Sequence, residues 1–184
     1  MTPHSFTSEG FVLARRNFGE ADRIIDIYSK DKGKISLIAK GIRRPKSRKR
    51  GHLEIFSKIS FQAINGKGMG ILTEAETIDN FSDIRKSIKK VSLAYYFMEV
   101  VGKITHESEE NHELFNFLSI VMEKLKVEKS LKKLKNDFVS ETLKILGFWP
   151  RNKNLAFPDG KLEEVLERQI YSKRVGKIVL SNIK

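Results

Sequence analysis

Seven basic side chains lie within eleven positions of this 184-residue chain, and no acidic side chain lies among them. Arginine presents a planar fork of donors that fits phosphate oxygens, and each phosphate that is neutralised releases counterions. Like charges packed this closely are unfavourable without a polyanion, so we interpret the segment as a nucleic-acid contact rather than as a solvated loop. The seven residues are Lys40, Arg43, Arg44, Lys46, Arg48, Lys49 and Arg50.

Three more arginines precede this segment, at strand ends that a meander would bring to one rim. They extend the predicted patch, although Arg23 could equally form a structural ion pair with a neighbouring acid. The three are Arg15, Arg16 and Arg23, and the acids are Glu20, Asp22 and Asp26. Phe18 lies in a predicted turn and is the candidate for base stacking, because strand alternation directs the other aromatic residues of this region into a core.

Residue patterns that would support catalysis or metal binding are missing from the sequence. With no cysteine, the chain has no thiol nucleophile, disulfide or Cys-ligated zinc site. His106 and His112 flank an acidic run and could in principle hold a divalent cation, but their spacing favours surface histidines. The glycines of NGKGMGIL lack the Ser or Thr and the helix of a phosphate-binding P-loop, and are typical of a hairpin turn. We therefore expect no enzyme, no metal and no cofactor.

The elements that must position the basic segment change in character near Phe81. Before it, five short runs rich in β-branched and aromatic residues are separated by turn signals, over 8–19, 22–30, 33–41, 52–64 and 70–79. The first three are expected to form an antiparallel meander, and Glu74 and Glu76 are expected on one exposed strand face. Five strands in about seventy residues predict a small barrel of the OB-fold type, with an SH3-like barrel as the alternative.

After Phe81 the apolar residues recur at three- and four-residue steps, which predicts amphipathic helices over about 91–104, 114–125 and 131–146. Gly147 and Pro150 are stop signals for the third. A short helical stripe follows over 162–170, and the final KIVLSNIK could be a helix end or a strand. The predicted class is therefore α+β with two domains, an OB-fold barrel at 1–80 and an all-α domain at 81–184.

The net charge of +12 makes nucleic acid the first partner to consider, and 40% hydrophobic residues are enough for a packed core. No run approaches the length of a membrane span, and the first ten residues lack the features of a signal peptide. We expect a soluble, cytoplasmic protein with no membrane partner.

A more specific signal comes from the order of short motifs. The stretch GEADRIIDIYSKDKGKISLIAKGIRRPKSRKRGHLEIF closely resembles the N-terminal domain of the RecO family of bacterial recombination mediators. EGFVL precedes this stretch and GILTEAE follows it, as in the family. The resemblance continues more weakly through SLAYYFMEVV and LKILGFWP, to about residue 150.

The resemblance implies a non-enzymatic protein of the RecF pathway, with an OB-fold followed by a helical domain. Such a protein binds single- and double-stranded DNA, anneals complementary strands, associates with RecR and contacts the C-terminal tail of single-stranded DNA-binding protein, which helps RecA to load. It also implies that Lys40, Arg43, Arg44, Lys46, Arg48 and Arg50 contact DNA. For an acidic, aromatic-ended tail, the third helix offers a basic rim at Lys132, Lys133 and Lys135. Many members carry a four-cysteine zinc module, which this chain cannot form.

Three other hypotheses stay open at this point. Electrostatics does not distinguish DNA from RNA, so an RNA-binding or ribosome-associated barrel is the alternative function. An adaptor whose charge is incidental is the third possibility, and an enzyme is a distant fourth.

Overall fold

The computed structural model of the chain describes residues 5–66 and 68–166. These residues form two compact units. The first contains the described part of 1–80 together with residues 105–111, and the second contains 81–104 and the described residues from 112 onward. Residues 105–111 follow a helical segment of the second unit in sequence, but they belong to the first unit.

The first unit is a closed barrel of five strands: β1 (Ser5–Phe18), β2 (Asp22–Ser29), β3 (Gly33–Ala39), β4 (Lys58–Ile64) and β5 (Gly70–Asp79). The strand order around the barrel is β1-β2-β3-β5-β4, and the pairings are antiparallel except for the short parallel contact of β3 with β5. The predicted OB-fold barrel and the antiparallel meander of its first three strands are confirmed.

The fourteen-residue strand β1 pairs with two neighbouring strands. Its first half pairs with β4 and its second half with β2, and the register of the β1–β2 ladder shifts between Val12 and Ala14. A bulge of this kind bends a strand and increases its twist, which closure of a small barrel requires. Gly19 lies in the turn after β1 and Gly33 begins β3, with φ of 57° and 61°, values that glycine adopts without a steric cost.

The barrel core is made of the inward-facing residues that the alternation predicted. Strand β4 alternates strictly between buried and half-buried positions, and its Phe61 belongs to the barrel core, as predicted. Phe11 and Tyr28 are also buried, but on the opposite strand face from the core residues Val12 and Ile27, so the prediction that they point into the barrel core is wrong. Glu74 and Glu76 are both exposed, again as predicted. The fourth strand begins at Lys58 rather than at residue 52, because the preceding residues turn and Phe56 adopts a positive φ of 59°, outside the strand region.

Residues 105–111, which we call the acidic strap, complete the barrel unit beside the start of β3. The Ser108 amide donates to the Lys34 carbonyl over 2.9 Å, and Lys34 Nζ donates to the Thr105 carbonyl over 2.6 Å. A side chain at Gly33 would be blocked by the Glu109 backbone, since an added Cβ would meet its carbonyl oxygen. The strap therefore requires a glycine where β3 begins.

The second unit consists of helices: α1 (Ser82–Arg85), α2 (Ile88–Ile104), α3 (His112–Val127), α4 (Leu131–Ile145) and α5 (Pro158–Leu166). The three long helices were predicted, and Gly147, with φ of 78°, ends the third of them as expected. The one-turn helix α1 was not predicted, because four residues give no periodicity. The terminal segment KIVLSNIK and residue 170 lie outside the described residues.

Aromatic rings and aliphatic side chains fill the core of the helical unit. Phe138 of α4 is fully buried, and its ring centroid lies 4.1 Å from that of Phe97 on α2 and 6.0 Å from that of Phe117 on α3. Rings at these separations attract one another beyond the burial of their surface. One residue thereby joins the three long helices.

Candidate nucleic-acid interface

The basic loop, residues 40–51, joins β3 to β4 and begins against the β1–β2 turn. The Asp22 carboxylate accepts a hydrogen bond from the Gly41 amide over 2.7 Å. The Arg43 amide donates to the carbonyl of Ala21 over 2.9 Å, and the side chain of Ile42 between them is fully buried. A hydrogen bond to a charged acceptor is among the stronger ones available to a backbone amide. The start of the loop is therefore fixed to the barrel.

The end of the loop is fixed by a second set of contacts. A 3-10 turn covers Arg48–Gly51, and Lys49 Nζ donates to the Leu72 carbonyl of β5 over 3.1 Å. The Thr77 amide donates a hydrogen bond to Nδ1 of the His52 ring over 3.2 Å. Leu53 is buried in the barrel core. The chain thus returns to the barrel immediately after the last arginine.

Four cations between these anchors are exposed, namely Lys40, Arg43, Arg44 and Lys46. Backbone hydrogen bonds from Arg44 to the Gly41 carbonyl and from Ser47 to the Arg44 carbonyl fold this part into consecutive turns. Arg43 Nη1 reaches the Gly19 carbonyl over 3.3 Å, which brings the guanidinium to the β1–β2 turn. In the described part of the chain, none of the four forms an ion pair with an acidic side chain. The side chains of Arg48 and Arg50 lie outside the described residues.

The structure separates the other predicted DNA contacts from this exposed group. Arg15 Nη1 is paired with Glu54 Oε1 at 2.6 Å, and its side chain is largely covered. Arg23 Nε donates to Asn17 Oδ1 over 3.1 Å, across the β1–β2 pair. Arg16 is exposed on the outer face of β1. The patch is thus split, and Arg15 stabilises the barrel instead of presenting charge.

Lys49 is placed differently from the four exposed cations. Its side chain is half-buried against β5, and burial lowers its pKa, an effect that the charge of Asp22 partly offsets. The 3-10 turn directs this one residue of the basic run toward the barrel, where its ammonium group donates to the Leu72 carbonyl.

One aromatic ring accompanies the exposed cations. Phe18 is 46% exposed and directly precedes Gly19, whose carbonyl binds the Arg43 guanidinium. Base stacking on an exposed ring beside a cationic groove is the usual mode of sequence-independent single-strand binding. The site can therefore neutralise phosphates and stack a base.

The predicted basic rim of the helical unit is only partly available. Lys132 and Lys133 are exposed, whereas Lys135 Nζ lies 2.5 Å from Asp159 Oδ2 and 5.3 Å from the centre of the Tyr96 ring. Burial, followed by the charge of Asp159, raises the pKa of Tyr96 above its usual range. Lys135 thus joins α4 to α5, and two lysines remain for the proposed rim.

Sequence reasoning missed the residues that hold the loop in place. Asp22 was considered only as an ion-pair partner for Arg23, yet it accepts the Gly41 amide. Its position in the GEADRI motif, two residues before a buried strand run, was the available signal. His106 and His112 are exposed, and among the described residues no group of three or more His, Asp or Glu could hold a metal ion. Across the same described ranges, the helices are all too short or too polar to cross a membrane.

Comparison with known proteins agrees with the motif order. Residues 1–81 match the family described as Recombination protein O N terminal, and residues 85–157 match Recombination protein O C terminal. The DNA repair protein RecO of Alkaliphilus metalliredigens is 36% identical over 121 residues, which cover 66% of this chain and 49% of the relative. That of Acetivibrio thermocellus is 33% identical over 144 residues, 78% of this chain and 57% of the relative. The chain spans about half the length of the curated relatives it matches.

Proposed function

Because the chain belongs to the recombination protein O family, we propose that it acts in DNA repair and recombination by binding single- and double-stranded DNA through its basic loop. The observation that supports this most is the group of four exposed cations, Lys40, Arg43, Arg44 and Lys46, on a loop fastened at both ends. A preformed loop loses little conformational entropy on binding, so more of the electrostatic attraction contributes to affinity.

Strand annealing follows from the same chemistry without a catalytic group. Two complementary strands repel each other through their phosphates, and a cationic surface that neutralises some of them lowers that barrier. An exposed ring such as Phe18 keeps a base unpaired until its partner arrives. We expect annealing to proceed without ATP and in the presence of a metal chelator, and a requirement for either would contradict this mechanism.

The partners proposed for the chain are those that the family resemblance implies: RecR, the C-terminal tail of single-stranded DNA-binding protein, and RecA indirectly. The chemistry of an acidic tail fits the exposed pair Lys132 and Lys133 better than Lys135, which already binds Asp159. A labelled acidic peptide with a terminal aromatic residue should bind several-fold more weakly to the Lys132→Ala/Lys133→Ala variant. Unchanged binding would remove this rim from the proposal. Action on the chromosome places the protein in the cytoplasm, at the nucleoid.

The experiment that tests DNA binding is a fluorescence anisotropy titration with labelled single-stranded DNA across a salt series. The loop variant replaces Lys40, Arg43, Arg44 and Lys46 by Ala. We expect the log–log salt slope to fall by about 0.7 for each lost phosphate contact, and the affinity at low salt to fall by about a hundredfold.

The matched control removes the same charge from the helical unit. It replaces Lys86, Lys103, Lys144 and Lys161 by Ala, each of which has an acidic partner three or four residues away in sequence, at 2.6–3.7 Å. We expect its salt slope to stay within about 0.5 of the wild type. Equal losses in both variants would show that total charge, not the loop, decides binding. A clear preference for RNA over DNA of matched sequence would favour an RNA-binding barrel instead.

A further inference from the structure

A cleft of about 350 Å³ opens in the wall of the barrel, between β3 and the β4–β5 connection. It exists because β3 pairs with β5 only at Leu37↔Gly70 and Ile38↔Ile71, while Lys34 pairs with Glu107 of the acidic strap. Between these two contacts, Ile35 and Ser36 border an opening in the described ladder. The volume lies within the range of pockets that bind small ligands.

Close packing requires glycine on one side of the cleft. A Cβ added at Gly70 would lie 2.9 Å from Leu37 Cδ2 and 3.0 Å from the Ile64 carbonyl oxygen, so no larger residue fits there. Gly66 and Gly68 line the same connection, and a Cβ added at Gly68 would meet no atom within 4 Å. The cleft therefore has open space beside the backbone at Gly68.

The lining of the cleft combines apolar and polar side chains. Phe6 lines the cleft and packs edge-on against Phe61, with ring centroids 6.1 Å apart, and Met69 in the same lining is 40% exposed. Arg16 supplies a cation and Glu107 a carboxylate. A planar ligand with hydrogen-bonding edges fits this mixed lining, and Arg16 would attract a phosphate attached to it.

We propose that this cleft receives one unpaired base of single-stranded DNA, an assignment that rests on the proposed DNA binding by the basic loop. The cleft lies within reach of a strand bound to the loop, because Ser36 and Lys40 are four residues apart on and just after β3, about 13 Å in an extended strand. Bases in a duplex are stacked and paired inside the helix and do not reach such a cleft without being extruded. The cleft thereby distinguishes single strands from duplex, while the loop binds both.

The test uses the full chain and two labelled oligonucleotides of equal length, oligo-dT and an abasic strand that has the same phosphates but no bases. A base held in a pocket adds about five- to tenfold in affinity, so the wild type should prefer oligo-dT by that factor. Gly68→Leu should reduce the preference to what stacking on Phe18 contributes, because a Cβ at Gly68 meets no atom within 4 Å and the larger side chain can be placed at the cleft without displacing the fold. Affinity for the abasic strand should not change.

Gly160→Leu in α5 is the matched control, since its Cβ also meets nothing within 4 Å, and it should keep the preference for oligo-dT. Met69→Ala is a second variant, expected to reduce the preference by about half while leaving abasic affinity alone. A preference that is undiminished in both cleft variants would overturn the assignment and leave Phe18 as the base contact. If the wild type bound both strands with equal affinity and the loop variant bound neither, the cleft proposal would be overturned but the proposal for the basic loop would stand. If the wild type bound neither strand, both proposals would be overturned.

Discussion

The barrel region and the helical region carry the same formal charge but use it differently. Residues 1–80 contain 15 basic and 9 acidic side chains, residues 81–184 contain 20 and 14, and each part has an excess of six. In the helical unit at least seven cations have acidic partners within 4.0 Å, most of them one helical turn away. In the barrel unit, by contrast, the densest group of cations has no acid within its own segment.

This difference shows that the positive charge available to a partner depends on how close acidic residues lie to the cations, and not on the number of cations. A helix brings residues three and four apart together, so a sequence rich in both signs pairs its charges locally. The basic loop has no acid over 40–50, and its anchors are backbone amides, the buried Ile42 and the inward-facing Lys49. The loop is thus attached to the barrel without ion pairs that would neutralise Lys40, Arg43, Arg44 and Lys46.

The prediction with the largest effect concerns the anchor at the start of the loop. Asp22→Ala leaves the Gly41 amide without its carboxylate acceptor, which we expect to lower the free energy of unfolding by about 1.5–3 kcal/mol. Affinity for single-stranded DNA should fall several-fold, although the substitution removes a negative charge from beside the loop. Urea denaturation and anisotropy titration measure the two effects.

Glu20→Ala is the matched control, because Glu20 is exposed in the same turn and the change in charge is identical. Electrostatics alone would raise DNA affinity in both variants, whereas anchoring lowers it only in Asp22→Ala. Higher affinity in both would show that the loop presents its cations without this hydrogen bond.

The second prediction compares one exposed cation from each region after charge reversal. Arg44→Glu should weaken single-strand binding by about tenfold, because it removes a phosphate contact and adds a repulsive one. Lys86→Glu makes the same change in charge at a side chain that is 75% exposed and pairs with Asp83 at 2.6 Å, and it should change affinity by less than about twofold. A similar loss in both variants, measured by anisotropy at one salt concentration, would break the distinction between the two regions.

Much of this arrangement was predictable from the sequence, for reasons that differ between elements. Strand alternation and turn glycines predicted the barrel, and the acid-free run of cations predicted the exposed loop. The inward direction of Lys49 was not predictable, because it depends on a 3-10 turn in a segment without apolar periodicity. Nor did any local pattern indicate that Glu107 would border a cleft next to Lys34, since that contact joins residues more than seventy positions apart.

The smallest predicted effect uses one buried tyrosine from each unit. Burial, with the charge of Glu109, raises the pKa of Tyr28, and burial with the charge of Asp159 raises that of Tyr96. The folded state therefore keeps both protons at a pH where the unfolded chain, with tyrosine pKa values near 10, has lost them. Stability from these groups is fully present below about pH 10 and is lost as the pH rises above it.

Between pH 10 and 11 each phenol should reduce the free energy of unfolding by about 1 kcal/mol. Tyr96→Phe and Tyr28→Phe should each flatten this decline by about that amount, because both hydroxyls are held as donors in the folded chain, Tyr96 to Asp159 Oδ1 at 3.3 Å and Tyr28 to the Asn111 carbonyl at 3.4 Å. Urea unfolding at each pH, followed by far-ultraviolet circular dichroism, measures the decline. An equal decline in wild type and both variants would mean that the phenols are deprotonated as readily in the folded chain, and that neither carboxylate holds its neighbour's proton in place.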